Sequence, residues 1–258
     1  MRYQLMTAAF AASVALSSGT ALATDLEVTH WWTSGGESAA VAELAKAFDA
    51  TGDHWVDGAI AGSGGVARPI MISRITGGDP MGATMFNHGR QAEELVQAGL
   101  MRDLTELAEK EKWAEVIGDK KLLESCTLDG KVYCVPVNIH SWQWLWLNRH
   151  VYEDNGLPVP TNWDEFIASA PTLRDKGIVP LAMGNQPWQA SGAFGVMAVA
   201  LAGVDDWLKV NRDKDASVAA GPSYAKVFQA AADARELRKG SNVQDWNQAT
   251  NMVITGQA

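Results

Sequence analysis

The sequence predicts an α/β fold, because short apolar stretches alternate with segments whose apolar residues recur at the helical period. Residues 26–30 alternate like a strand that runs from an edge into a core. The next segment carries an apolar residue at each position that one helical face requires, namely Val41, Leu44, Ala45 and Phe48. With 258 residues and 47% hydrophobic content, the chain is long enough to bury a sizeable core.

The same alternation continues to about residue 134. Short apolar runs predict further strands at residues 59–61 and 81–86. Helical periodicity predicts helices at residues 70–75, at 91–98 and from 104 onward. This order of elements is typical of α/β sheets.

The second half begins with an extended apolar stretch at residues 135–140. It leads into residues 141–148, where Trp142, Trp144 and Trp146 share one face at a period of two, as in a strand. Another strand is predicted at residues 179–183. Helical patterns predict four further helices. One starts near residue 161, and the other three span residues 189–201, 224–239 and 246–254.

The two cysteines flank a hairpin signal. Cys126 and Cys134 lie on either side of Asp129-Gly130, a dipeptide that favours tight turns. A two-residue turn places Cys126 opposite Tyr133, whereas a three-residue turn places it opposite Cys134, the register that we take a disulfide to require. The interpretation is a disulfide in an oxidising compartment, with two free thiols as the alternative.

The first residues predict export. A positive start at Met1-Arg2, a short apolar stretch at residues 5–16 and the sequence Ala-Leu-Ala at 21–23 are typical of a secretory signal peptide over residues 1–23. No later stretch approaches the ~20 continuous apolar residues of a membrane span. We therefore expect the chain from residue 24 onward to reach the periplasm of a Gram-negative bacterium.

Charge and motifs exclude several classes of function. Acidic residues outnumber basic ones by 30 to 21, for a net charge of −9, which makes nucleic acid and anionic membrane poor partners. Gly62, Gly64 and Ala67 match the dinucleotide fingerprint only formally, and we interpret them as a turn. Strong enzymatic signatures are absent, and the five histidines lack metal spacing. The sequence predicts no cofactor and no metal.

Eleven tryptophans are the compositional oddity, and two of them stand beside a carboxylate. Trp31 and Trp32 end the first predicted strand, and a glycine pair separates them from Glu37. A sugar ring offers an apolar C–H face that stacks on indole and hydroxyls that hydrogen-bond to charged groups. A second interpretation of Glu37 is local, since Ser34 and Glu37 have the spacing of a capping box.

These residues carry a resemblance to a known family. Residues 28–37, Val-Thr-His-Trp-Trp-Thr-Ser-Gly-Gly-Glu, resemble the mature start of the glucose/mannose-type sugar-binding proteins of bacterial ABC transporters. The resemblance continues along nearly the whole chain after the signal peptide, at residues 128–133, 135–140, 161–166, 177–181, 186–189 and 245–249.

The resemblance implies a two-lobed α/β periplasmic binding protein fold. It places an N-terminal lobe at residues 24–134, a hinge crossover at 135–140 and part of a C-terminal lobe at 141–258. Family members are longer, so we expect a C-terminally truncated chain whose second lobe and hinge are incomplete. The implied function is non-catalytic capture of a monosaccharide, glucose or mannose, for delivery to the permease subunits of an ABC transporter by a monomer.

The resemblance also implies binding residues. The stacking aromatic falls on Trp31 or Trp32, and the acidic contact falls on Glu37. A basic contact of the family falls on either His88 or Arg90. Two further candidates, His140 and Trp188, are placed by their position at strand ends that face the presumed cleft.

Two other functions remain as alternatives. Paired carboxylates in a tryptophan-lined cleft also serve glycosidases, for which Glu37 would act with Asp164 or Glu165. However, residues 161–165 have the pattern of an exposed helix start, where acidic residues favour the helix dipole. The other alternative is that the tryptophans are core residues and the chain binds nothing.

Overall fold

The computed structural model describes residues 23–87 and 90–258. The predicted signal peptide therefore lies outside the described residues, apart from Ala23. The strands are β1 (Asp25–His30), β2 (His54–Ala59), β3 (Ala83–Thr84), β4 (Thr127–Leu128) and β5 (Lys131–Val132). The helices of the first half are α1 (Gly35–Asp49), α2 (Gly64–Thr76), α3 (Glu93–Gln97), α4 (Thr105–Lys110), α5 (Trp113–Val116) and α6 (Lys120–Glu124). Those of the second half are α7 (Arg149–Asp154), α8 (Trp163–Asp175), α9 (Pro187–Ala202), α10 (Val204–Asn211), α11 (Ala216–Ala219), α12 (Pro222–Leu237) and α13 (Trp246–Ile254).

The first half is built on a parallel sheet in the order β2-β1-β3. Helix α2 covers one face and forms a core of buried residues with the segments that follow it, comprising Ala67, Met71, Ile75, Met81 and Leu95. On this face Arg74 donates to both carboxylate oxygens of Glu27, at 2.5 and 2.9 Å, and ties α2 to β1. Helix α1 lies on the other face, where only its Val41 is buried.

Strand β2 begins five residues earlier than predicted. It spans His54–Ala59 and pairs along its whole length with β1, from Asp25 opposite His54 to His30 opposite Ala59. The prediction of a strand at 59–61 was therefore wrong in position. In the described sheet β2 is an edge strand, and its polar residues hide the apolar alternation that marks a half-buried strand.

The second half is helical. Its main core lies between α9 and α12 and contains Met197, Ala198, Tyr224, Val227, Ala230 and Ala234. Residues 179–183, predicted as a strand, form an irregular segment with a bend at Pro180 and belong to no sheet within the described part of the chain. The N–H of Val179 donates to the carbonyl of Gln257, beyond the end of α13, and the N–H of Leu181 donates to the carbonyl of Leu237, the last residue of α12. These N–H groups therefore bond to helix-terminal segments and not to a neighbouring strand.

The hairpin carries the predicted disulfide in an unexpected register. Cys126 and Cys134 are bonded, with their Cα atoms 5.1 Å apart, which confirms the pairing. The turn has two residues, Asp129 and Gly130, both with positive φ, and the Tyr133 N–H donates to the Cys126 carbonyl. The expectation that a disulfide requires a three-residue turn was therefore wrong, because cysteines offset by one position still lie within bonding distance.

Residues 141–148 form neither a strand nor a helix. The Trp142 ring packs directly against the backbone of Gly192 in α9 and lies edge-on to Trp188, with ring centroids 5.6 Å apart. Trp144 and Trp146 are 64% and 76% exposed. The expectation that the three tryptophans share one face is therefore wrong. The Trp142 ring packs on α9, whereas the Trp144 and Trp146 rings are largely exposed to solvent.

Candidate functional site

The two tryptophans after β1 point to opposite faces of the sheet. Trp31 packs against the α2 core, and a Cβ on Gly64 would lie only 3.2 Å from its ring. Trp32 is 9% exposed and lies on the α1 side. Successive residues of an extended chain alternate in this way. Of the two aromatic candidates, Trp32 is the one that joins the other predicted site residues.

Trp32 stacks on His140. Their ring centroids are 6.4 Å apart and the ring planes differ by 19°. His140 is exposed, and its ring contacts the side chain of Asn138 in the same extended segment. This stack brings the end of β1 against residues 135–140, the predicted crossover.

Glu37 lies half-buried in the first turn of α1. Burial raises the pKa of its carboxyl, while a hydrogen bond from the indole N–H of Trp246 and the charge of His140 act to lower it. Ser34 makes no side-chain hydrogen bond to the start of α1, so the expected capping box does not explain Glu37. The structure instead directs this carboxylate toward an indole of the second half.

Trp246 is the first residue of α13 and was not among the predicted site residues. Asp245 caps this helix, with Gln248 completing a capping box. The neighbouring Asn247 has a buried Oδ1 without a hydrogen-bond partner in the described residues. Its Nδ2 would lie 3.8 Å from a Cβ on Gly35, so the starts of α13 and α1 are in contact.

Trp188 is linked to the start of α13 by a chain of hydrogen bonds. Its Nε1 donates to Gln186 Oε1 at 2.6 Å, and Gln186 Nε2 donates to Asp245 Oδ1 at 2.8 Å. These bonds fasten the start of α9 to the start of α13. Trp188 is therefore connected to the start of α13 through Asp245, the residue that caps α13 and directly precedes Trp246.

We call Trp32, Glu37, His140, Trp188 and Trp246 the indole cluster. It comprises Trp32 after β1, Glu37 and Trp246 in the first turns of α1 and α13, and His140 in residues 135–140, with Trp188 of α9 linked to it through Gln186 and Asp245. Helix N-termini carry partial positive charge, which favours an ionised carboxylate near them. Indole faces stack on apolar C–H surfaces, and a carboxylate accepts hydrogen bonds from hydroxyls. This combination of groups is suited to a polyhydroxylated ring.

The described residues do not test the two remaining predicted contacts. His88 lies outside the described residues, and Arg90 begins a short 3-10 helix, Arg90–Ala92. Their assignment as basic contacts stays a prediction. Among the described residues, no group of three His, Cys, Asp or Glu side chains is placed to hold a metal ion. The described helices include none that is both long and apolar enough to cross a membrane.

A cavity of about 370 Å³ lies beside the cluster, between α1 and the sheet. Trp32 and Ser38 line it together with His30, Trp55 and Asp57. Glu37, His140 and Trp188 are not among its described lining residues. The convergence of polar and aromatic groups, rather than this volume, therefore marks the candidate site.

The carboxylates proposed as partners for Glu37 in a glycosidase lie at the start of α8. Glu165 Oε2 accepts hydrogen bonds from the Thr161 N–H and Oγ1, at 2.8 and 2.9 Å, and these bonds lower its pKa. Its own N–H donates to Asn162 Oδ1 at 3.0 Å. Glu165 is thus engaged in capping its helix, as the sequence pattern indicates.

Comparison with known proteins gives a consistent result. Residues 32–258 match the family model described as bacterial extracellular solute-binding protein. A probable sugar-binding periplasmic protein of Rhizobium meliloti is 33% identical over 261 residues, which cover 100% of this chain and 62% of the relative. A protein of the same description from Brucella melitensis is 35% identical over 237 residues, covering 91% of this chain and 55% of the relative. The chain thus spans between 55% and 62% of the length of these two curated relatives.

Solved structures share the fold. A chitin oligosaccharide binding protein superposes with a TM-score of 0.70 at 18% identity, covering 90% of this chain and 60% of that one. The bacterial solute receptor AcbH superposes with a TM-score of 0.69 at 22% identity, covering 91% and 59%. AcbH is described as having an exclusive preference for β-D-galactopyranose.

Proposed function

Since this chain belongs to the bacterial extracellular solute-binding proteins and shares their two-lobed fold, we propose that it captures a monosaccharide, glucose or mannose, in the periplasm. It delivers the sugar to the permease subunits of an ABC transporter and works as a non-catalytic monomer. The relatives named as sugar-binding periplasmic proteins support the sugar and the compartment. The signal-peptide pattern at residues 1–23 supports export.

One observation carries the proposal: the half-buried carboxylate of Glu37 lies close enough to the indole N–H of Trp246 for that group to lower its pKa, within a cluster that holds a second, buried indole. A sugar hydroxyl offers the same kind of donor as the Trp246 N–H. A hydroxyl can therefore take its place on the carboxylate while the ring face stacks on an indole. Exchange of one donor for another leaves no charge unpaired.

The expected energies are sufficient for useful affinity. A hydrogen bond to a charged group contributes about 1.5–3 kcal/mol. A micromolar Kd corresponds to about −8.2 kcal/mol. A few hydrogen bonds of this kind together with one stacked ring face reach that value, and Glu37 supplies one of them.

The positions of the cluster residues support a cleft between two lobes. Trp32 and Glu37 precede residues 135–140, whereas Trp188 and Trp246 follow them. We take residues 24–134 and 141–258 as belonging to the two lobes and residues 135–140 as the hinge crossover. A sugar that contacts residues on both sides favours the closed arrangement by its difference in affinity for the two states.

The test is calorimetric titration of the purified chain with glucose, mannose, galactose and maltose. We expect saturable heat with at least one hexose and none of the catalytic turnover that a glycosidase would show on aryl glycosides. A folded chain that gives no heat with any of the sugars would overturn the proposal for this chain. Hydrolysis that disappears in Glu37→Gln would instead identify an enzyme.

A further inference from the structure

His30 is buried beside the indole cluster, and both nitrogens of its ring have a partner. It is the last residue of β1 and is 3% exposed. Its Nε2 lies 2.6 Å from Asp57 Oδ1, on the neighbouring strand β2. The backbone N–H of Trp32 donates to its Nδ1, at 3.2 Å.

These two bonds define the protonation of the ring. A backbone N–H can only donate, so Nδ1 must present its lone pair and carry no proton. The proton of the neutral imidazole is then on Nε2, which donates it to Asp57. Asp57 is 55% exposed, so water solvates part of its charge while it orients the ring.

The Trp32 N–H stands just beyond the parallel ladder. The last backbone bonds at this end of β1 run from Ile60 to the His30 carbonyl, at 2.8 Å, and from Met85 to the Thr29 carbonyl, at 2.8 Å. Beyond them the imidazole of His30, rather than a neighbouring strand, receives the Trp32 N–H. The direction in which the chain leaves the sheet at Trp32 therefore depends on one side chain.

We propose that His30 is a positioning residue for the sugar site, which rests on the proposed function. Asp57 holds the imidazole as the Nε2–H tautomer, the imidazole holds the Trp32 backbone, and that backbone sets the orientation of the stacking indole. His30 does not touch the sugar. Asp57 acts in this role only through its hydrogen bond to His30 Nε2.

A simpler role for His30 is to tie β1 to β2 through Asp57. The two roles use different nitrogens, so substitutions can separate them. In His30→Asn, the amide oxygen stands where Nδ1 stands and still accepts the Trp32 N–H, but the link to Asp57 is lost. In His30→Gln, the longer amide reaches toward Asp57 and leaves the Trp32 N–H without its acceptor. His30→Phe keeps the ring volume and neither bond.

The test measures hexose affinity, thermal unfolding and the backbone amide chemical shift of Trp32 in all three variants. We expect His30→Asn to bind nearly as the parent does. His30→Gln and His30→Phe should bind about two- to ten-fold more weakly, the effect of one neutral hydrogen bond. The Trp32 amide resonance should move in His30→Gln and His30→Phe and stay close to its original position in His30→Asn. The opposite order of affinities, or equal affinity in all three, would overturn the proposal.

A second pair of variants addresses Asp57. In Asp57→Asn the amide oxygen still accepts from Nε2–H, so affinity and the Trp32 amide shift should be retained. In Asp57→Leu the Trp32 N–H alone favours the tautomer and nothing on β2 orients the ring, so both should change in the same direction as in His30→Gln. Equal behaviour of the two Asp57 variants would show that Asp57 does not act through the ring.

The positioning role of His30 can be tested whether or not the chain binds a sugar. If the parent chain binds no hexose, the proposed function fails, but the imidazole ¹⁵N shifts still report the tautomer of His30. They should show a proton on Nε2 alone, and the Trp32 amide should respond to the variants in the same order. An Nδ1–H tautomer would overturn the positioning role by itself.

Discussion

The indole of Trp32 and the imidazole of His140 lie nearly parallel, with a 19° angle between their planes and 6.4 Å between their centroids. One ring follows the first strand and the other ends the extended segment 135–140. The buried indole of the first half is thereby coupled to the proposed hinge. We expect a ligand that contacts Trp32 to alter the environment of His140 as well.

Substitution of Trp32 should cost far more stability than substitution of an exposed tryptophan. Trp32 is 9% exposed, whereas Trp146 is 76% exposed. Trp32→Ala should lower the free energy of unfolding by about 3–5 kcal/mol, because it leaves a cavity. Trp146→Ala should change it by no more than about 0.5 kcal/mol. Urea denaturation measures both, and similar losses in the two variants would contradict the burial of Trp32.

Removal of the charge on Glu37 should weaken sugar binding. Glu37→Gln replaces a charge-assisted hydrogen bond with a neutral one, and we expect Kd to rise about ten-fold or more. Glu43→Gln is the matched control, since Glu43 lies on the same helix, is 76% exposed and pairs only with Lys46 among the described residues. Calorimetry with the preferred hexose measures both variants. Equal Kd values for the two would remove Glu37 from the site.

Sugar affinity should increase with pH above the ordinary pKa of a glutamate, which is 4.5. Burial raises the pKa of Glu37 above that value, and only the ionised form accepts hydrogen bonds at both oxygens. Affinity should therefore rise as pH passes through the raised pKa. The free energy of unfolding has the opposite pH dependence, because the pKa of Glu37 is higher in the folded state than in the unfolded state. The stabilising contribution of the protonated carboxyl is complete below the pKa of the unfolded state and is lost as pH rises through the pKa of the folded state.

The Trp246 indole should influence the pH at which sugar affinity reaches its midpoint. Its N–H lowers the pKa of Glu37, so Trp246→Phe should move the midpoint of the affinity profile to higher pH. Trp113→Phe, in α5, is the control and should leave the midpoint in place. Measurement of Kd from pH 4 to 8 decides the matter. A midpoint that shifts to lower pH in Trp246→Phe would contradict the hydrogen bond.

Two glycines of α9 should respond oppositely to alanine. A Cβ on Gly192 would overlap the Trp142 ring, whereas nothing in the described residues lies within 4 Å of one on Gly195. Gly195→Ala should therefore stabilise the chain by about 0.5–1 kcal/mol through helix propensity. Gly192→Ala should displace Trp142 from Trp188 and lower the melting temperature. Near-ultraviolet circular dichroism detects the displacement, and equal melting temperatures would contradict the packing.

The disulfide should contribute measurably to stability. Reduction of Cys126–Cys134 releases a short loop, and the chain-entropy model gives a loss of about 2–3 kcal/mol for a loop of this size. Denaturation with and without reductant measures the loss. The double variant Cys126→Ser, Cys134→Ser should be insensitive to reductant. A parent chain that is equally insensitive would show that the bond does not form.

The sequence predicts the elements whose signals are local. Helix α1 follows from apolar residues such as Val41 at the helical period, and the hairpin follows from its Asp-Gly turn. The start of β2 was misplaced because an edge strand with Asp57 and His54 carries no clear alternation. Residues 179–183 have strand composition, but a strand also requires a neighbour, which periodicity does not report.

The candidate site shows the same division. The sequence proposes Trp32 and Glu37 because they lie within six residues of each other in a distinctive motif. Trp246 is not among the predicted site residues, although residues 245–249 carry part of the family resemblance. Its signal was a tryptophan directly after a helix-capping aspartate, and only the contact between α1 and α13 gives that position a function. Contacts between segments 200 residues apart depend on packing and not on local pattern.

The most direct test of the account maps the sugar onto the tryptophans by NMR of their indole N–H resonances during titration with hexose. We expect saturable shifts at Trp32, Trp188 and Trp246, with the Trp246 N–H moving most because a hydroxyl replaces it on Glu37. Trp113 and Trp207 should not respond. Saturable shifts confined to Trp144 and Trp146, or none at any indole with millimolar hexose, would contradict a sugar site at the indole cluster.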